Sequence, residues 1–201
     1  ITPKQRQMVT SGARYRFTDR FAIETELAYT NNNINTFPKK DKKDDGGLGV
    51  RVKLNGNFDL KKKDSIVNWT VDTKVDFEVL DKNFNPIELY RSVEFDRDWN
   101  TRNKGYAGNQ ISTIAGANFK HKKRGNLNVE AQNYQIGSFY KGYKGRLSGE
   151  WAQNGFKAYW DGSFLGSFAS ESSTYLRHKI DVSKSFKWFK VGFKDDQERN
   201  V

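Results

Sequence analysis

Gly47-Leu48-Gly49-Val50-Arg51-Val52-Lys53-Leu54-Asn55-Gly56-Asn57-Phe58-Asp59 is answered by Val67-Asn68-Trp69-Thr70-Val71-Asp72-Thr73-Lys74-Val75-Asp76-Phe77-Glu78-Val79. In the first arm Leu48, Val50, Val52, Leu54, Gly56 and Phe58 share one parity, and Arg51, Lys53, Asn55, Asn57 and Asp59 the other. The second arm sets Val67, Trp69, Val71, Thr73, Val75, Phe77 and Val79 against Asn68, Thr70, Asp72, Lys74, Asp76 and Glu78. Side chains alternate across a strand with period two, so each arm has one greasy face and one charged face, which no helix would produce. Each arm runs about twelve residues. Strands of soluble sheets usually run about five or six residues, and a membrane-crossing strand needs about nine to eleven. The pair therefore reads as a long β-hairpin of a transmembrane β-barrel.

The same phase runs along the chain. Gln7 to Phe17 and Phe21 to Tyr29 form a hairpin about Thr18-Asp19-Arg20, and Tyr106 to Lys120 returns as Leu127 to Ser138 through a basic turn. Tyr143 to Trp151 meets Phe156 to Phe168 at Asn154-Gly155, the strongest short-range hairpin signal. Thr174 to Ser183 and Trp188 to Lys194 make the last pair. The expectation is all-β: an antiparallel up-and-down meander of about ten long strands, with residues 1–201 as a single barrel domain or barrel segment. The connections after strands two and four are long, that after strand eight is intermediate and those after odd-numbered strands are short, the asymmetry of outer-membrane barrels, which the connection after strand six, around Phe139 to Gly142, does not obey. The loop from Asp81 to Gly105 is too long for a turn and too aromatic to be idle, so it should pack on something.

Composition narrows the function classes. A hydrophobic fraction of 35% and a mean hydropathy of −0.88 leave no apolar run long enough for a membrane helix, yet alternating strands never give such a run. The net charge of +11 is a sum of interleaved signs, without a helix, RNP-like motif or finger spacing, so nucleic acid is not an expected partner. Cysteine is absent and only two histidines occur. No catalytic residue, metal-ligand set or cofactor motif stands out, and a non-enzymatic role is expected. Asp96-Arg97-Asp98-Trp99-Asn100 opens like a calcium loop, but Thr101 stands where the glycine belongs and Ala107 where the bidentate glutamate belongs. Ser172 and Ser173 near His178 lack a nucleophile setting, which leaves a barrel-borne hydrolase as the weaker alternative.

The candidate functional residues are the polar row expected to face a lumen: Arg14, Arg16, Glu24, Glu26, Arg51, Lys53, Asp72, Lys74, Asp76 and Glu78. Such a row either lines a polar path for solute or fills a closed barrel with salt bridges. Aromatic residues gather near the short turns (Phe17, Phe21, Phe58, Phe119, Trp151, Phe156, Phe186, Trp188, Phe189) and near the opposite end (Tyr29, Phe37, Tyr106, Phe139, Tyr140, Phe168, Tyr175). Two belts are expected where rings meet the two membrane interfaces. The competing account is a soluble envelope β-sandwich or open sheet, binding carbohydrate or another envelope component, with these rings capping its core. Expected partners are membrane lipid (lipopolysaccharide or phospholipid) and further barrel strands or envelope subunits; the turns Lys61-Lys62-Lys63 and His121-Lys122-Lys123-Arg124 are read first as solubilising turns that blunt aggregation and second as contacts for anionic lipid head groups.

Ser11-Gly12-Ala13-Arg14-Tyr15-Arg16-Phe17-Thr18-Asp19-Arg20-Phe21 and Tyr90-Arg91-Ser92-Val93-Glu94-Phe95-Asp96-Arg97-Asp98-Trp99-Asn100 resemble bacterial outer-membrane β-barrel proteins, and more loosely the large barrels of Bacteroidota. The resemblance implies residence in the outer membrane of a Gram-negative bacterium and a porin-like, transport, secretion or scaffolding role within a membrane protein complex. Such barrels usually end on an aromatic residue, whereas this chain runs on from Phe193 through Lys194-Asp195-Asp196-Gln197-Glu198-Arg199-Asn200-Val201, as a segment of a larger barrel would.

Overall fold

A computed structural model describes residues 4–33, 45–63, 66–88, 90–102, 104–170 and 172–200. Ten strands follow in order: β1 (Gln5–Thr18), β2 (Phe21–Asn33), β3 (Gly46–Lys63), β4 (Ile66–Leu80), β5 (Gln110–His121), β6 (Gly125–Ile136), β7 (Tyr140–Gln153), β8 (Phe156–Phe168), β9 (Ser173–Ser185) and β10 (Lys190–Asn200). They form one antiparallel sheet in sequence order, the meander read from the hairpins. The sheet is open, with β1 and β10 at its edges. Strand lengths run from 11 to 18 residues. One short helix, α1 (Phe95–Asp98), interrupts the connection between β4 and β5.

Parity is preserved from strand to strand because directly opposed residues point to the same face. One row across β2 to β9 reads Ile23, Leu54, Val75, Ala115, Ala131, Gly145, Phe164, Leu176. The neighbouring row on the opposite face begins Glu24, Lys53, Asp76 and, beyond β5, ends at Leu165 and Tyr175. The polar face thus turns apolar at one end of the later strands. At Asn154-Gly155 both residues have positive φ, 49° and 76°, the mirror-image turn that matches strand twist.

The last strand reaches further than the apolar pattern indicates. Lys194 to Asn200 pairs with β9 residue by residue, Lys194 opposite Asp181 and Asn200 opposite Tyr175, although most of this stretch is charged. Cross-strand partners, not hydrophobicity, hold it in register. The acidic and lysine-rich run 34–44, with Phe37, lies outside the described residues, as do the side chains of Lys61, Lys62 and Lys63.

The buried core is small and off-centre. Trp99, Tyr134, Ile136, Tyr140 and Leu165 form it, with Phe95, Tyr106, Ala169 and Tyr175 packed around them. All of the strand residues among these lie on the polar-face parity. The opposite, apolar face is left uncovered by the described residues: Leu27 is 53% exposed, Leu147 47% and Phe164 49%. A soluble sandwich would bury those rows beneath a second layer.

Candidate functional site: the polar face and the loop laid across it

The connection 81–109 leaves β4 by extending its ladder, Asp81 N–H donating to Leu48 O at 2.8 Å. It then turns back over β2 and β3. Asp81 Oδ1 accepts from Asn83 N–H at 2.8 Å, and Asn85 N–H reaches the fully buried Thr30 Oγ at 3.1 Å. This close approach is possible because positions 47 and 49 are glycines. A Cβ at Gly47 would lie 2.3 Å from Phe84 N, and one at Gly49 would lie 3.0 Å from the Phe84 ring.

Arg91 anchors the middle of the loop. Its guanidinium donates to Glu78 Oε1 at 2.7 Å, to Gln110 Oε1 at 2.7 Å and to the Tyr134 hydroxyl at 2.9 Å. It also lies 4.3 Å from the Phe95 ring centroid and 5.1 Å from that of Tyr134. Burial disfavours the Arg91 charge, but Tyr134, Tyr90 and Glu78 outweigh it, so the group is held above its ordinary range and stays cationic. Both partners of the Arg91–Glu78 pair are mostly buried, with side chains 17% and 13% exposed.

Beyond α1 the loop crosses to β6 through β9. Trp99 is 3% exposed and packs on Tyr134 at 5.4 Å between ring centroids. Its carbonyl accepts from the Tyr140 hydroxyl. Gly142 makes room, since a Cβ there would meet the Trp99 ring at 2.9 Å. Asn100, in the left-handed region at φ 54°, donates to Ser173 Oγ at 2.9 Å. Asp98 lies 3.5 Å from Lys144 Nζ. Asp96 accepts from the Thr101 hydroxyl, so the two acidic residues of the calcium-like stretch point to different protein partners. The loop is therefore a band running from β2 to β9 across one end of the polar face.

Away from the band, most of the expected lumenal row is tied by ion pairs. Arg51 bonds Asp76 through two parallel contacts, at 2.9 and 2.6 Å, although Glu78 is its opposite neighbour. That diagonal choice leaves Glu78 for Arg91. Asp72 accepts from Lys120 and Asn57, each at 2.5 Å, and Arg14 lies 3.3 Å from Glu24. Lys74 pairs with Glu130, reaching across β5 over Gly116, where a Cβ would meet Lys74 Cε at 3.1 Å. The side chains of Arg16, Glu26 and Lys53 make no direct hydrogen bond or ion pair among the described residues. Arg16 and Arg14 line an open cleft of about 480 Å³ with Asn55, Asn57, Lys74 and Asn118. Glu26 and Lys53 border a second, of about 430 Å³.

The ten expected residues share one face, but Arg91, Gln110, Tyr134 and Glu130, which complete their network, escaped the sequence reading. The aromatic belt expected at the end opposite the short turns is divided. Tyr29, Phe139 and Phe168 are about half exposed, whereas Tyr140 is 1% exposed beneath the loop, and Tyr106 and Tyr175 pack beside it. The reason is parity, since Tyr140 opens β7 opposite Ile136 on the polar face. Ser173 bonds Ser167 and Asn100 on that face, while His178 lies on the other face against Asp195 at 2.6 Å. Opposite parity thus separates Ser173 from His178, while Ser172 is exposed just ahead of β9. The chain matches no protein-family model, no curated protein and no solved structure.

Proposed function

We propose that this chain is a non-enzymatic wall of an outer-membrane β-barrel in a Gram-negative bacterium, complete in itself or with further strands, with its apolar face in lipid. Its polar face borders a conduit or assembly chamber for transport, secretion or scaffolding, and the 81–109 band narrows one end. The observation that carries this reading is the inversion of burial: the packed aromatic cluster lies on the charged face, while no second layer covers the apolar face among the described residues and most of its large side chains are exposed. Strands of 11 to 18 residues suit a bilayer crossing. A soluble carbohydrate-binding sheet would leave that face open to water from β2 to β8, far beyond the apolar patches soluble monomers carry, with charge entering it at His178 and along β10.

Expression of the chain behind an export signal in a Gram-negative host tests the reading. It should sediment with outer membranes and resist carbonate extraction, whereas recovery as a detergent-free monomer in the periplasmic fraction would contradict it. In planar bilayers, Lys53→Glu with Lys74→Glu should shift ion selectivity toward cations if the polar face borders water. Background conductance from inserted wild type and variant alike would leave a scaffold instead of a conduit.

A further inference from the structure

The short-turn end of the apolar face carries a group of side chains that the conduit does not use. Trp69, His121, Gly125 and Trp151 are consecutive cross-strand neighbours on β4, β5, β6 and β7. Gly125 is the gap in this row. A Cβ there would lie 1.9 Å from Glu150 O, and without a side chain the rings on either side approach across it. His121 and Trp151 are 6.0 Å apart between centroids, Trp69 and His121 4.9 Å, and Trp69 and Trp151 6.1 Å and nearly parallel.

A cationic edge completes the group. The Arg124 guanidinium lies 5.8 Å from the Trp151 ring centroid, and Lys122, Lys123 and Arg124 are all exposed on the β5–β6 turn. His121 Nδ1 accepts from Lys123 N–H at 3.2 Å. The neutral ring must then carry its proton on Nε2, which makes it a donor outside the turn. Rings that tolerate both hydrocarbon and water thus sit directly below a cluster of hydrogen-bond donors and positive charge.

We infer that Trp69, His121, Trp151 and the Lys122-Lys123-Arg124 turn form a binding site for the phosphodiester headgroup of an anionic phospholipid. Arg124 and His121 Nε2 hold the phosphate, and the two indoles lie along the glycerol and upper acyl region. This inference rests on the membrane-wall reading and adds a lipid class and a position to it. It also orients the chain, placing the short turns at the phospholipid leaflet.

Quenching by brominated lipids tests it. The full chain with Trp160→Phe and Trp188→Phe keeps Trp69 and Trp151 as reporters, while Trp99, the loop residue buried against the other face, gives a constant background. The protein is reconstituted into phosphatidylcholine vesicles in which either phosphatidylglycerol or a matching share of phosphatidylcholine is brominated. Brominated phosphatidylglycerol should quench more strongly, and Arg124→Gln should cut its preference about fivefold, the effect of one basic side chain near an anionic surface. His121→Phe, which keeps a ring but not the donor, should weaken the preference as well. Equal quenching by the two lipids, or a preference unchanged in Arg124→Gln, would overturn the site and leave the membrane reading standing. Loss of the preference on adding millimolar inorganic phosphate would overturn it in favour of a soluble anion. No quenching by either lipid would remove the membrane reading and the site together.

Discussion

The two faces of β3 and β4 are built from interleaved residues of the same strands, and they differ in every way that packing can differ. On one, Arg51, Asp76, Glu78, Asp72 and Lys74 are joined to each other or to Arg91, Lys120 and Glu130, and a loop lies across their end. On the other, Val75 and Phe77 are about 40% exposed with no layer over them among the described residues. In water this arrangement would be upside down, since burial of apolar surface is the dominant favourable term in folding. The contrast teaches that polar contacts, with one aromatic cluster, organise the covered face, while the apolar face carries no second layer among the described residues, as a lipid-facing wall of the kind proposed above would.

Removing the ring that pins the band should have the largest effect. Trp99→Ala should loosen the 81–109 loop by about 4 kcal/mol, the usual scale for truncating a buried tryptophan. Hydrogen exchange of the loop amides should speed up accordingly, with the β7–β8 ladder unaffected. Exchange rates unchanged from wild type would mean that the loop is not held by this core.

Arg91→Ala should cost about 3 kcal/mol, because it leaves Glu78 facing Tyr134 and Gln110 without its cation. The same exchange experiment reads it, and adding Glu78→Gln should recover part of the loss. On the bare face, Phe77→Arg should lower insertion into bilayers by about 2 kcal/mol if that face meets lipid, whereas Asp76→Asn, its polar-face neighbour, should leave insertion unchanged. Equal behaviour of the two variants would break the contrast between the faces. The smallest effect is expected for Lys74 and Glu130, whose coupling in a double-mutant cycle should be about 0.5 kcal/mol, since Lys74 is half exposed.

What was legible in the sequence follows from the range of each signal. Period two is local, so the ten strands, the Asn154-Gly155 turn and the shared face of Arg14 through Glu78 can be read residue by residue. The band cannot be read in this way. Arg91 finds Glu78, Gln110 and Tyr134 at separations of 13, 19 and 43 residues, and a loop has no periodicity to announce them. Its aromatic content indicated packing, but the clue to where was the parity of Tyr134 and Tyr140, which put rings on the charged face. The Lys74–Glu130 pair passes over an intervening strand at Gly116, where a Cβ would crowd Lys74 Cε at 3.1 Å. The extent of β10 was hidden for the opposite reason: its far half carries charge on both faces and is specified by pairing with β9.

The central claim, that one face meets lipid and the other borders water, is tested most directly by a nitroxide scan along β3. The chain has no cysteine, so single cysteines can be placed in turn from position 48 to position 58 and spin-labelled in reconstituted vesicles. Collision with oxygen, which dissolves in lipid, should peak at 50, 52 and 54, and collision with a water-soluble nickel chelate should peak at 51, 53 and 55, with period two and opposite phase. Equal access of the nickel chelate to both parities, or the two profiles in the same phase, would contradict the account.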